Sequence, residues 1–224
     1  MLSKLKESVM PAMPIVLQPA RSGILFVVSS PSGGGKGTLV QRVLNAVPDL
    51  SYSVSYTTRT PRNGELDGRE YYFVGRDRFE QMVAANEFLE WASVHGNLYG
   101  TARRQVSREI EEGRDIVLEV DVQGAASVRE LITESVSIFI LPPSYKVLRQ
   151  RLLKRGSDTA EELELRLRNA PAELSHYTAF DYLVINEDVD LAAARLAAIV
   201  NAERSRCKRQ ELEVKRIIAS FPGE

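Results

Sequence analysis

The sequence predicts an α/β protein with a doubly wound parallel sheet. Three observations carry this prediction: short apolar runs typical of strands buried on both faces, helical stretches between them, and a sharp glycine-rich turn after the first run. Alternating strands and helices are typical of a parallel sheet covered by helices on both sides. Ligands of such sheets bind beyond the carboxyl ends of the strands, so we expect the functional residues there.

The predicted elements follow in chain order. We expect buried strands at residues 24–28, 115–122, 136–141 and 182–186. A helix should follow the glycine-rich turn and end before Pro48, and another should cover residues 103–112 before the breaker Gly113. A last amphipathic helix is predicted over residues 191–218, with Asp190 as its cap.

Two segments interrupt the alternation. One, residues 53–101, carries turn signals and a strand-like run at 71–74, which indicates a small inserted subdomain. The other, residues 144–174, is strongly helical and rich in arginine, which favours a mobile lid. The expected division is a disordered arm at 1–22, one domain at 23–206 with its core at 23–52, 102–143 and 175–206, and a carboxy-terminal helix and tail at 207–224.

The composition narrows the function classes. Of 224 residues, 44% are hydrophobic and 26% charged, the balance of a globular protein with a substantial core. Cys207 is the single cysteine, which excludes an intramolecular disulfide and indicates a reducing, cytoplasmic compartment. The 29 basic and 30 acidic residues nearly cancel, so no nucleic-acid partner is expected. The apolar runs are too short for a membrane span.

The glycine-rich turn has the composition of a phosphate-binding loop. Glycines let backbone N–H groups converge on phosphate oxygens, the following helix adds partial positive charge, and a lysine reaches the β- and γ-phosphates. The turn therefore predicts an ATP-like ligand; the alternative is a flexible turn with a solvated lysine. The residues expected to bind ATP here are Ser30, Pro31, Ser32, Gly33, Gly34, Gly35, Lys36, Gly37 and Thr38.

The loop departs from the regular motif at two positions. Ser30 stands at the first glycine of the motif, and Gly37 stands where a serine or threonine hydroxyl normally binds Mg²⁺. Thr38 supplies a hydroxyl one residue later and is the candidate beside Mg²⁺.

The period of two in the second strand places Glu119 and Asp121 on one face. We expect these carboxylates to lie beside magnesium or to pair with the arginines that bind the phosphoryl acceptor. The alternative is that they form only a salt bridge at the strand end.

Six motifs carry a family resemblance, and they occur at residues 55–62 (SYTTRTPR), 68–71 (GREY), 87–91 (EFLEW), 96–101 (GNLYGT), 118–124 (LEVDVQG) and 151–156 (RLLKRG). Together they resemble the guanylate kinase family, over about residues 22–205. The resemblance implies a P-loop nucleoside monophosphate kinase fold with a GMP-binding subdomain and a helical lid. It also implies Mg²⁺-dependent transfer of the γ-phosphoryl group of ATP to GMP, giving ADP and GDP in purine nucleotide metabolism, with dGMP also accepted.

The resemblance assigns individual residues as well. The acceptor phosphate is expected on Arg59, Arg62, Tyr71 and Tyr99, and guanine on Ser55, Glu90, Thr101 and Asp121. The catalytic cations are expected to be Lys36, Arg59, Arg151, Arg155 and Arg166, the last three carried over the ATP phosphates by the lid. Asn186 is expected near the adenine. A solvated helix face is the plain alternative for each lid arginine.

The chemistry of these residue types suits the assigned roles. Two guanidinium forks, Arg59 and Arg62, can converge on one phosphate because Pro61 keeps their segment out of a helix. Guanine presents a ring N–H beside an exocyclic amine, and one carboxylate such as Glu90 can accept from both, while the Ser55 hydroxyl donates to the carbonyl. Adenine would place a lone pair against that carboxylate, which would disfavour it.

Two other functions stay open from the sequence. The first is a module of the same fold that binds a protein and has lost catalysis, although such modules typically lack a working phosphate loop. The second is a kinase for another acceptor, against which Glu90 and Ser55 argue. His95 and His176 are too isolated to predict a metal cluster. The sequence leaves a homo-oligomer open.

Overall fold

A computed structural model describes residues 21–94, 96–155 and 159–222, apart from the Arg155 side chain. Its elements are β1 (Leu25–Ser29), α1 (Lys36–Ala46), β2 (Leu50–Tyr52), β3 (Tyr56–Thr57), β4 (Tyr72–Phe73), α2 (Arg76–Ala84), β5 (Phe88–Val94), β6 (Asn97–Ala102), α3 (Arg103–Glu111), β7 (Asp115–Glu119), α4 (Val122–Leu131), β8 (Val136–Leu141), α5 (Tyr145–Arg155), α6 (Ala160–Ser175), a 3-10 helix (His176–Ala179), β9 (Tyr182–Ile185), α7 (Val189–Arg204) and α8 (Cys207–Ala219).

The central sheet has five parallel strands in the order β2-β7-β1-β8-β9. Successive side chains of β1 point to opposite faces of the sheet. Phe26 packs with the apolar faces of α1 and α7, whereas Leu25 and Val27 pack with α3 and α4. Helices therefore cover both faces, and the doubly wound parallel fold predicted from the sequence is confirmed.

A second sheet lies between β2 and α3 in the chain. It has four strands in the order β4-β3-β6-β5, and β5 and β6 form a long antiparallel hairpin. Its core is aromatic: the Phe79 and Phe88 rings stack with centroids 4.5 Å apart. A Cβ atom at Gly100 would lie 2.9 Å from the Phe88 ring, so glycine permits this close packing. The small sheet thereby holds β5 and β6, which carry Glu90 and Thr101, in fixed register.

Two predictions about element boundaries were wrong. The strand expected at 115–122 ends at Glu119, because the Asp121 side chain accepts a hydrogen bond from the Gly124 N–H at 2.8 Å and caps α4. The helix expected at 191–218 is two helices, α7 and α8, separated at Ser205–Arg206, and its cap is Asp188 rather than Asp190. The predicted arm at 1–22 lies outside the described residues except for Arg21 and Ser22.

Asp115 holds the amino-terminal end of the central sheet together. Its carboxylate is fully buried and accepts hydrogen bonds from the guanidinium groups of Arg21 and Arg204 and from the Ile24 N–H. Burial acts to raise the pKa of this carboxyl, but the two arginines outweigh it and hold the pKa below its ordinary value. A buried ion pair of this kind is costly to break because the remaining charges lose their partner.

Asp115→Ala is therefore expected to lower the free energy of unfolding by about 3 kcal/mol. The matched control is Asp190→Ala, which removes the carboxylate from an exposed ion pair with Arg42 and should cost at most about 1 kcal/mol. Urea denaturation of both variants measures the difference. Equal losses would contradict the structural role of Asp115.

Candidate active site

The glycine-rich loop joins β1 to the start of α1. Gly33 and Gly35 have φ values of 85° and 93°, in the left-handed region that favours glycine. A Cβ atom at Gly35 would lie 2.3 Å from Nδ2 of Asn186, so this glycine also permits a close approach. The first turn of α1 carries no acidic side chain. Its free N–H groups and the partial positive charge of the helix end make the loop suitable for an anion.

Lys36 extends from this loop toward the carboxyl end of β7. Its Nζ atom donates to the carbonyl oxygen of Val120 at 2.9 Å. Burial raises the pKa of the Glu119 carboxyl, and the Lys36 charge opposes that rise. The same charge also opposes the rise at Glu90. Lys36 therefore lies within electrostatic reach of carboxylates on two different strands.

Side chains from α5, α6 and the end of β9 contact the loop. Arg151 donates to the carbonyl oxygens of Gly34 at 3.3 Å and Asn186 at 2.8 Å, and burial lowers the pKa of its guanidinium. The Asn186 side-chain amide donates to the same Gly34 oxygen at 2.9 Å. These contacts hold Arg151, predicted as a catalytic cation, and Asn186, predicted near the adenine, against the loop backbone.

Ser32 is the second point of contact between the loop and the helical segment. Its hydroxyl accepts a hydrogen bond from Arg166 at 2.5 Å, and its N–H donates to the Glu173 carboxylate at 3.2 Å. Glu173 was not predicted from the sequence, where it is one of many glutamates on a helix. The side chain of Arg155, also predicted for this group, lies outside the described residues.

A second polar pocket is built on the β5–β6 hairpin. Glu90 and Thr101 lie opposite each other, and the Thr101 hydroxyl donates to Oε1 of Glu90 at 2.5 Å. Burial raises the pKa of Glu90 to about 7, the Thr101 hydrogen bond opposes this rise, and Asp121 adds to it. A Cβ atom at Gly124 would lie 2.8 Å from Oε2 of Glu90, so this glycine lets α4 approach the carboxylate.

The predicted acceptor-phosphate residues form one cluster beside that pocket. The Arg59 guanidinium lies over the Tyr71 ring at 5.4 Å, and Tyr71 meets Tyr99 edge to face at 5.8 Å. Glu65, which was not predicted, accepts hydrogen bonds from the Arg59 side chain at 2.9 Å and from the Arg62 N–H at 2.7 Å. Burial, then the Glu119 charge, raises the pKa of Tyr71 to about 12, so its hydroxyl remains a donor at neutral pH.

The remaining predicted residues take no part in the contacts described above. Ser55 is buried just before β3, and its carbonyl oxygen accepts from the Tyr72 N–H at 2.9 Å. Thr38 is exposed in the first turn of α1. His95 lies outside the described residues, and His176 is exposed at the end of α6. Within the described residues no group of three or more His, Cys, Asp or Glu side chains could hold a metal ion.

The two polar regions adjoin at the carboxyl edge of the central sheet. Lys36 from the loop donates to the carbonyl oxygen of Val120, just before α4, and Gly124 of α4 lies against the Glu90 carboxylate, so the loop and the inserted sheet approach each other here. The fold is that of the nucleoside monophosphate kinases, a class of phosphate-loop proteins. Among the described helices, none combines the length and apolarity needed to cross a bilayer.

Comparison with known proteins identifies the family. The guanylate kinase family model matches residues 22–203. A guanylate kinase from Thiobacillus denitrificans is 49% identical over 203 residues, covering 91% of this chain and 96% of its own length, and one from Alkalilimnicola ehrlichii is 50% identical over 189 residues, covering 84% and 93%. The crystal structure of guanylate kinase from Anaplasma phagocytophilum superposes with a TM-score of 0.74 at 35% identity, covering 91% of this chain and 98% of that one. The chain belongs to the guanylate kinase family.

Glu90 should make the stability of the protein depend on pH. The folded protein binds the Glu90 proton more tightly than the unfolded chain does, because the pKa is raised from 4.5 to about 7. The free energy of unfolding should therefore lose a contribution on the order of 2 kcal/mol as pH rises through this interval. Glu90→Gln should remove that loss, which urea denaturation at pH 5 and pH 8 measures.

Glu87→Gln is the matched control, because Glu87 precedes the same strand and is exposed. It should leave the pH dependence of the wild type in place. If Glu90→Gln and the wild type lose stability in parallel between the two pH values, the buried environment of Glu90 is wrongly described.

Proposed function

We propose that this chain transfers the γ-phosphoryl group of ATP to GMP, producing ADP and GDP, and that dGMP is also accepted. The observation that supports it most is the position of Lys36. Its ammonium group starts from the phosphate loop, reaches the Val120 carbonyl and acts on the Glu90 pocket. We infer that this cation lies between the ATP phosphates and the GMP that binds beside Glu90.

ATP is proposed to bind through its phosphates to the loop. The N–H groups of residues 33–38 would donate hydrogen bonds to the phosphate oxygens, with Asn186 close to the adenine. Arg151 and Arg166 already touch the loop, so a small rotation of their side chains would bring both guanidinium groups onto phosphate oxygens. Arg155 is proposed to join them from the same lid.

GMP is proposed to bind in the pocket of the inserted sheet. Its phosphate would take the place of the Glu65 carboxylate beside Arg59 and Arg62, with hydroxyl donors from Tyr71 and Tyr99. A dianionic phosphate competes well for such a site because it offers more acceptor oxygens and more charge than one carboxylate.

Guanine is proposed to be selected by its hydrogen-bonding edge. Ionised Glu90 accepts from the ring N–H and the exocyclic amine, and Thr101 keeps the carboxylate oriented through its hydroxyl. Ser55 and Asp121 are proposed as further polar partners of guanine. Adenine cannot satisfy Glu90, and leaving a buried carboxylate without partners is costly.

The reaction requires electrostatic stabilisation more than proton transfer. The attacking phosphate oxygen of GMP is already anionic at neutral pH, so no side chain is needed as a general base. Lys36, Arg59 and the lid arginines would neutralise charge on the two phosphate groups, and closure of the lid would exclude water as a competing acceptor. Mg²⁺ bound with ATP would supply further charge, and its proposed protein partners are Thr38, Glu119 and Asp121.

We place this activity in the cytoplasm. Cys207 is exposed and unpaired with another cysteine, as expected for a reducing compartment.

The acceptor preference tests the assignment directly. With ATP and Mg²⁺, GMP and dGMP should be phosphorylated with kcat/KM values at least about 10⁴ times those of AMP, CMP and UMP, because only guanine satisfies Glu90. A coupled assay for ADP measures all five acceptors. A protein-binding module would turn over none of them, and a kinase for another acceptor would prefer a different base; either result contradicts the proposal.

Lys36→Ala is expected to lower kcat by about 10²- to 10³-fold, because the ammonium group acts on the transferring phosphoryl group. Steady-state kinetics measures this loss, and the melting temperature should show that the variant is folded. Lys215→Ala removes a cation from α8 and should retain wild-type turnover. Near-normal turnover of Lys36→Ala would refute the proposed role of this lysine.

A further inference from the structure

Glu173 places a negative charge beside a loop that is proposed to bind a polyanion. Its carboxylate accepts a hydrogen bond from the Ser32 N–H at 3.2 Å, and the residue is partly buried. A charge of this sign next to the loop repels the phosphates of ATP. A neutral side chain at position 173 would therefore favour ATP binding, so the carboxylate needs an explanation other than affinity for the nucleotide.

Ser32 joins Glu173 to one of the proposed catalytic cations. Its hydroxyl accepts a hydrogen bond from the Arg166 guanidinium at 2.5 Å, while its N–H is held by Glu173. Arg166 and Glu173 are seven residues apart on α6, which is close to two full turns, so they lie on the same side of the helix. The two side chains therefore converge on a single residue of the loop.

Apolar packing sets the position of α6 relative to the loop. Ala170 of α6 is buried together with Leu148 and Leu152 of α5. A Cβ atom at Gly33 would lie 2.9 Å from Cγ of Leu152 and 3.0 Å from Cδ1 of Leu148, so α5 packs directly on the residue that follows Ser32. Because this packing fixes the backbones, the polar contacts at Ser32 have only to fix the directions of side chains.

The Arg166 guanidinium takes its direction from the Ser32 hydroxyl. An arginine side chain has many rotamers, and one fixed acceptor selects among them. The hydroxyl stays in place only while Ser32 keeps its orientation, and Glu173 holds that orientation through the N–H of the same residue. A charged acceptor makes this backbone hydrogen bond stronger than a neutral acceptor would. Removing Glu173 would therefore release Arg166 without changing Arg166 itself.

We propose that Glu173 is a positioning residue for phosphoryl transfer, which acts through Ser32 to keep Arg166 directed at the phosphates of ATP. Glu173 itself touches neither nucleotide. Its charge opposes the binding of ATP, whereas the guanidinium that it orients stabilises the charge that develops in the transition state. The inference rests on the proposed function, because it concerns the same reaction.

The effect of Glu173 on kcat and on the KM for ATP should differ. Glu173→Ala should lower kcat by about 10-fold or more, because a slightly misplaced catalytic group is costly. The KM for ATP should rise by no more than about twofold, because a repelling charge has been removed. Glu173→Gln keeps an oxygen that can accept from the Ser32 N–H, so its kcat should stay within roughly threefold of the wild type. Steady-state kinetics with ATP and GMP measures these values.

Glu164→Gln is the matched control, since Glu164 is exposed on the same helix. It should retain wild-type kcat and KM. A Glu173→Ala variant that raises only the KM for ATP would contradict the inference, because Glu173 would then hold the loop for binding and leave Arg166 unaffected. A Glu173→Gln variant as slow as Glu173→Ala would also contradict it.

A double-mutant cycle separates positioning from a general loosening of the loop. Arg166→Ala alone should lower kcat by about 10²-fold. Adding Glu173→Ala to that variant should lower kcat by less than about twofold further, because the group to be positioned is gone. Losses that simply multiply in the double variant would overturn the inference.

Thermal melting verifies that each variant is folded. If Glu173→Ala does not fold, Glu173→Leu, which keeps more of the side-chain volume, takes its place in the same cycle with the same expected values. A wild-type protein that phosphorylates no GMP would refute the proposed function and this inference with it. An active wild type with multiplying losses in the cycle would refute the positioning role alone.

Discussion

The pairing of β1 with β7 is the constraint on which the rest of the site depends. Parallel register places Val28 of β1 opposite Glu119 of β7, so the loop that follows β1 and the carboxylates that follow β7 emerge at the same edge of the sheet. Lys36, the first residue after the loop, can then reach the Val120 carbonyl at 2.9 Å. Strand register thereby brings the ammonium group of the loop to the end of β7, where the proposed donor and acceptor sites would meet.

The candidate site concentrates charged side chains, although the numbers of basic and acidic residues in the whole chain are almost equal. Three arginines of the candidate site have protein partners: Arg59 contacts Glu65, Arg151 contacts backbone carbonyls, and Arg166 contacts Ser32. These partners hold the guanidinium groups in place, and the phosphates of the proposed substrates would exchange with them. Glu90 differs from these arginines because burial disfavours its charged form. A ligand with two N–H donors would stabilise the charged carboxylate again.

The sequence predicts the strongly patterned parts of the fold. The apolar strand runs, the loop glycines and the ends of helices at Pro48 and Gly113 all leave local signals, and the structure confirms the fold class. It misses β2, because three partly buried residues are too few to show a period. It extends β7 to Val122, because the cap at Asp121 depends on a hydrogen bond to Gly124 that no apolar pattern reports.

The candidate site divides in the same way. Lys36, Glu90 and Arg59 were predicted because they belong to motifs, and the structure places them in adjoining regions. Glu65 and Glu173 were missed because an isolated glutamate resembles any solvated residue, and only folding brings each one to Arg59 or Ser32. The Asp115 centre was likewise missed, since its partners Arg21 and Arg204 are remote in the chain. These contacts exist only in the folded protein, and they leave no periodic pattern in the sequence.

The most direct test of the central claim is a crystal structure with a bisubstrate inhibitor in which adenosine and guanosine are joined through a polyphosphate chain. We predict that the polyphosphate runs from the loop at residues 33–38 to Arg59, that Lys36 leaves the Val120 carbonyl to contact it, and that guanine lies against Glu90. Guanine bound elsewhere, or Lys36 still on the Val120 carbonyl without a phosphate contact, would contradict the account.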